Sequence, residues 1–166
     1  MTQFDDFLQS NRAHAQGFSH GDKPMPPSRR VAVLTCMDAR LHPERFLGCD
    51  VGDAHVIRNA GGRASDDALR SLVISQRLLG TEEVVVIHHT DCGMLTFSNT
   101  DLVSKIKDDL GADASGWDFL PFEDLEQSVR DDVDTLRNSE LIPKDIAISG
   151  AIYNVASGRL EEVVRS

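Results

Sequence analysis

The 166-residue chain is short of several features that would each point to a different class of protein. It has three cysteines, an odd number, so no disulfide framework is expected. Those thiols are read instead as core groups, metal ligands or catalytic groups. No apolar run approaches the roughly 18 residues of a membrane span, so no membrane partner is expected. Basic residues are outnumbered: 17 Lys and Arg against 27 Asp and Glu leave a net charge of −10. That balance argues against nucleic acid or an anionic surface as a partner. The stretch from Met1 to Asp6 lacks the basic and apolar regions of a secretory signal, so a cytoplasmic protein is expected. Neither G-x-G-x-x-G nor a P-loop lysine follows the first apolar run, which disfavours a nucleotide-binding domain. Repeats and low-complexity segments are absent.

What remains is a globular composition, 40% hydrophobic and 27% charged, at the length of one domain with a short arm. Phe4, Phe7 and Leu8 give the first helix, to about Gly17, a thin apolar face. Pro24, Pro26 and Pro27 then forbid helix, so residues 1–28 form a helical arm and linker, and 29–166 the α/β domain. Val31–Leu34, Ala54–Ile57, Glu83–Ile87 and Ile146–Ile152 read as strands. Their apolarity is mostly continuous, as in a sheet buried on both faces. Gly158–Val164 alternates more and reads as an edge strand after a tight turn. Ser65 caps a helix with Leu69, Leu72, Val73, Leu78 and Leu79 on its apolar face. Thr100–Leu110 is a modest helix. Another, from Pro121 or Phe122, carries Phe122, Leu125, Val129, Val133 and Leu136. The expected architecture is three-layer α/β: a mostly parallel four-stranded sheet plus an edge strand, helices on both faces, and the N-terminal arm.

In such sheets, ligands bind outside the carboxyl ends of the strands. The first strand runs into Cys36, Asp38 and Arg40; the third runs into His89, Cys92 and Gly93. Two thiolates and an imidazole arriving at one edge suit zinc, which takes sulfur and nitrogen tetrahedrally. Ordinary buried thiols and a strand-end histidine are the competing reading on spacing alone. Asp38 and Arg40, two residues apart, can form a bidentate pair beside the ligands. Cysteine-phosphatase chemistry is excluded, because position 42 is His42 where it would need arginine. Strand alternation sends His88 to the face opposite His89, where packing is expected. Cys49 has no partner at ligand spacing. His42 and Asp91 are candidates to relay protons, against the commoner reading of such residues beside a loop as simply solvated.

Taken together, Cys36-x-Asp38-x-Arg40, His89-x-x-Cys92-Gly93 and the intervening Arg58–Gly62 loop resemble the β-class carbonic anhydrases. The resemblance covers about Val31 to Phe97, and the short chain is similar to the compact bacterial branch of the family. Carbonyl sulfide and carbon disulfide hydrolases share that scaffold. The resemblance implies one Zn2+ per chain on Cys36, His89 and Cys92, with a hydroxide there attacking carbon dioxide to give bicarbonate and a proton. It gives Asp38 and Arg40 catalytic parts, with Asp38 as fourth ligand in a closed state, and makes Asn59, Ala60, Gly61 and Gly62 line the substrate. Plant-type members place a glutamine before the first cysteine; Pro24–Ser28 has none, and amides around Gly61 are the candidates to substitute. The only tryptophan, Trp117, lies far from the motifs, so no tryptophan-based bicarbonate site is expected. The partners implied are a small linear substrate, carbon dioxide or carbonyl sulfide, and a second copy of the chain in a homodimer or higher homo-oligomer. A non-catalytic zinc-stabilised interaction domain, with Asp38 closing the site permanently, is the rival from another class.

Overall fold

A computed structural model describes residues 2–166. Helix α1, Gln3–Gln16, starts at Thr2, whose hydroxyl and the Asp5 carboxylate cap each other's backbone amides reciprocally. It buries none of its residues; Phe4 and Phe7 are 66% and 64% exposed. The proline-containing stretch after it has no regular structure.

The body then alternates strand and helix. Its strands are β1 (Val31–Cys36), β2 (Ala54–Asn59), β3 (Glu83–His89), β4 (Ala147–Tyr153) and β5 (Leu160–Val164). Its helices are α2 (Pro43–Leu47), α3 (Asp66–Leu79), α4 (Asn99–Leu110) and α5 (Leu125–Asn138). The strands form one sheet in the order β2-β1-β3-β4-β5. The first three pairings are parallel and β5 runs antiparallel at the edge, so the expected sheet is the one found.

Helices α3 and α5 cover one face. Leu72 of α3 and Val133 and Leu136 of α5 meet Ala32, Val84, Val86 and Ile148 of the strands in one buried cluster. Each such fully buried aliphatic side chain stabilises the fold by about 1.5–3 kcal/mol. Gly150 lets α5 lie close on β4: a Cβ there would stand 2.5 Å from Val129 Cγ1. Toward the strands' carboxyl ends, a second cluster gathers Cys36, Leu41, Cys92, Met94 and Phe122, with Phe46 of α2 stacked on Tyr153.

Two local expectations are corrected. Leu78 does not join the buried face of α3, which runs through Ala68, Leu72 and Ser75; it lies about 120° around the helix from Leu72 and is 75% exposed. Phe122 does not belong to α5. Asp124 caps that helix by accepting the Gln127 amide hydrogen at 2.8 Å, so α5 begins at Leu125. Phe122 lies before it and stacks on His88 at 5.5 Å between ring centres.

Candidate metal centre

Strands β1 and β3 are hydrogen-bonded neighbours running the same way, so their ends deliver Cys36 and His89 side by side. The chain reverses after β3 through Asp91, whose φ of 56° is left-handed, and returns Cys92 beneath them. The Sγ atoms and an imidazole nitrogen lie within 4.8 Å of one another, and all three residues are buried.

The polar atoms here are under-satisfied in the way a metal ligand set is. The Thr90 carbonyl lies 2.9 Å from His89 Nδ1 and can only accept, so Nδ1 carries the hydrogen. That leaves the Nε2 lone pair free, and Nε2 is buried without a hydrogen-bond partner. Burying such an atom is costly unless something coordinates it. The hydrogen bond from Cys92 draws the Cys36 thiol down to about 4, with His89 and the Asp38 and Gly61 amides helping. The same contact and burial push the Cys92 thiol up. Burial disfavours charge on His89, but the Cys36 thiolate and the Thr90 carbonyl outweigh it and raise its affinity for a proton. Positive charge is thus wanted at the point where the three donors converge. Two sulfurs and one nitrogen fit zinc.

Asp38 sits beside this cluster without joining it. Its Oδ2 is 3.8 Å from His89 Nε2. Arg40 holds the carboxylate from the other side, donating from Nε to Oδ1 at 3.0 Å and from Nη2 to Oδ2 at 2.7 Å. The Arg40 amide adds a third bond to Oδ1 at 2.8 Å. These hydrogen bonds hold the Asp38 carboxyl well below the usual carboxylate range, against a smaller opposing effect of burial. Arg40 is itself fixed to the other motif, donating to Asp91 Oδ2 at 2.7 Å and to the Asp91 carbonyl at 2.9 Å.

Above the ligands lies a pocket of about 190 Å³, lined by Cys36, Met37, Asp38, Ala60, Gly61, Cys92, Gly93 and Met94. Of the four turn residues expected beside a substrate, Ala60 and Gly61 line it. Asn59 and Gly62 stand behind: the Asn59 amide donates to the Arg63 carbonyl at 2.8 Å, and Gly62 presses on the end of β1. His42 is exposed, and Cys49 is a half-buried free thiol away from the cluster.

Three further participants make contacts that the sequence did not mark. Arg58 donates to the Cys36 carbonyl at 3.0 Å and the Asp38 carbonyl at 2.7 Å, pinning the first motif's loop. Its signal was its place at the end of β2, in register with Thr35. Asp91 is a partner of Arg40 as well as a solvated residue, and Met94 closes the pocket wall. Neither had a spacing that would have marked it.

Residues 31–160 match the family described as carbonic anhydrase. The chain is 45% identical over 163 residues to Beta-carbonic anhydrase 1 of Mycobacterium tuberculosis, with 98% of this chain and 99% of that one covered. It is 41% identical over 163 residues to a carbon disulfide hydrolase of Acidianus, covering 84% and 80% of the two chains. The crystal structure of carbonic anhydrase from Streptococcus mutans superposes with a TM-score of 0.93, at 55% identity and 98% coverage of each chain.

Proposed function

Since the chain belongs to the β-class carbonic anhydrase family, we propose that it hydrates carbon dioxide reversibly to bicarbonate and a proton, using one zinc ion held by Cys36, His89 and Cys92. The observation that carries this reading is the buried, partnerless His89 Nε2 facing two thiols beneath a small pocket. Zinc bound there supplies the Lewis acidity that lets water act as a nucleophile near neutral pH. Asp38 is the catalytic carboxylate: ionised and next to the donors, it accepts a hydrogen bond from the reacting water and so aims its lone pair. Arg40 is a positioning residue. Its two-pronged grip keeps Asp38 oriented and off the ligand set. Ala60 and Gly61 leave room for a small linear molecule against the backbone.

Stopped-flow hydration with a pH indicator tests this, and a rate well above buffer is expected from zinc-loaded protein. No rate above buffer at alkaline pH, with ready consumption of carbonyl sulfide or carbon disulfide, would replace the substrate. That second reading is favoured by the 41% identity to a carbon disulfide hydrolase and by the mostly apolar lining that Met37 and Met94 give the pocket.

The enzyme is proposed to be cytoplasmic and dimeric. Support for the dimer comes from α1, which buries nothing and leaves Phe4, Phe7 and Leu8 exposed at the end of a linker. Packed on a second subunit, those side chains gain cover. Deleting residues 2–20 should shift sedimentation toward monomer; an unchanged dimer would rule the arm out as the clasp.

A further inference from the structure

Most of the wall of the pocket above the ligands is small or fixed. Cys36 and Cys92 belong to the ligand cluster, and Arg40 holds Asp38. Ala60, Gly61 and Gly93 bring no side chain longer than a methyl group. Among the described residues that line the pocket, only Met37 and Met94 carry long side chains. Met37 is 64% exposed, so it stands at the mouth with room to swing into solvent. Met94 is 7% exposed and enclosed. The one long side chain that a bound molecule must meet inside the pocket is therefore that of Met94.

The fold holds the stem of this side chain and leaves its end adjustable. Met94 lies in a single 3-10 turn, Gly93–Leu95, that follows Cys92 directly. The Leu95 amide donates to the Cys92 carbonyl at 3.1 Å, and the Phe122 amide donates to the Met94 carbonyl at 3.3 Å. From there the side chain packs among Cys36, Leu41, Cys92 and Phe122. Its Cγ rests against Gly61, which has a left-handed φ of 81°; a Cβ added at Gly61 would stand 2.8 Å from that carbon. The wall is closed at this point, with no space for a further carbon. Beyond Cγ only Sδ and Cε can turn. An unbranched, polarisable thioether is well suited to yield to a neighbour of irregular shape.

We propose that Met94 is the specificity-determining residue of the pocket: the end of its side chain gauges the width left beside Gly61 for the far atom of a linear molecule. An oxygen atom fits with the thioether at rest. A sulfur atom, being larger, fits by pushing the thioether aside. The inference rests on the proposed function and names the side chain that discriminates between its two substrate types, carbon dioxide and its sulfur analogues.

Two linear anions stand in for the two substrate types. Cyanate has the shape and valence-electron count of carbon dioxide, and thiocyanate has those of carbonyl sulfide. Both bind cobalt(II) through nitrogen, which leaves oxygen or sulfur as the far atom. Their affinities are read by titrating the visible spectrum of the cobalt-substituted protein. Met94→Ala should raise the preference for thiocyanate over cyanate by about tenfold relative to the parent, the lower end for a change of one small group in an apolar pocket. Met94→Val keeps a stem on Gly61 and loses the outer atoms. It should shift the ratio the same way by less, and it guards against an alanine variant that does not fold, since it leaves a smaller cavity. Parent crystals soaked with each anion should show Sδ and Cε displaced by thiocyanate and not by cyanate. Consumption of carbonyl sulfide relative to carbon dioxide should rise in the same variants. A ratio unmoved, or moved toward cyanate, in the folded variants would overturn the gauge, as would Met94 in one position in both parent complexes. Parent cobalt protein whose spectrum answers to neither anion would overturn the metal-site reading beneath it.

Discussion

Adjacent residues of one strand, His88 and His89, lie in two environments that differ in how completely their ring nitrogens are satisfied. Both imidazoles are fully buried. On the α5 side, every polar atom around His88 has a partner within the chain: Ser128, Asp132, Gly62, Arg63. On the other side, His89 has one nitrogen satisfied and the other bare, facing two thiols. Burial and residue type are alike in the two places. Completeness of hydrogen bonding is what separates a structural polar network from a site awaiting a ligand.

Substitutions sharpen that contrast by emptying one side at a time. The largest effect is expected from Cys92→Ser. It removes a soft donor from the incomplete side, so elemental analysis should show most zinc lost and hydration should fall to the buffer rate. Thermal unfolding of that variant in the absence of metal should be little changed. Retained zinc would refute the ligand set.

Emptying the complete side should instead be read in stability. Asp132→Asn leaves Arg63 buried with half a partner, which typically costs about 3–5 kcal/mol, measurable by denaturant unfolding. The pH dependence has a definite sign. Burial alone would raise the Asp132 carboxyl, but hydrogen bonds from His88 and Arg63 outweigh it and hold the group below its ordinary value. Its contribution is therefore present above the unfolded value of about 3.9 and is lost as pH falls through the lower folded value. The difference in stability between parent and Asp132→Asn should shrink across that acid window. A gap that stays constant there would show that the carboxylate's charge is not what matters.

Arg40→Ala tests a residue that is satisfied itself yet serves the incomplete side. Loss of its bonds to Asp38 and Asp91 should free Asp38 to turn toward the ligands, 3.8 Å away in the parent. Turnover should fall by roughly 10–100-fold, the range for residues that orient a metal site. Zinc content should hold, which distinguishes this variant from Cys92→Ser. Unimpaired turnover would remove Arg40 from the machinery.

Much of this was legible in the chain. Continuous apolar runs mark parallel strands because both faces of the sheet are covered, and cysteine and histidine at the ends of two such runs must share an edge if the runs are neighbours. The Cys36, His89 and Cys92 cluster and its Asp38–Arg40 pair follow from that. The start of α5 was misplaced for a local reason: Phe122 has the apolar character and spacing of the helix stripe, but Asp124 caps two residues later. Ser128 and Asp132 gave a fainter signal. They lie four apart beside Val129 and Val133, on a face that only apolar residues were expected to fill.

Sequence alone pointed to the parallel α/β order, the gathering of Cys36, His89 and Cys92 and the Asp38–Arg40 pair, because each depends on what stands at the ends of neighbouring strands and in the turns after them. Tertiary structure decided the rest. What His88 bonds, and what grips Asp132, depend on contacts between residues 26 to 69 apart. No local pattern encodes them: Gly62, Arg63 and Asp132 meet only once α5 has packed across the sheet, and a hydrogen bond is specified by where its second partner arrives.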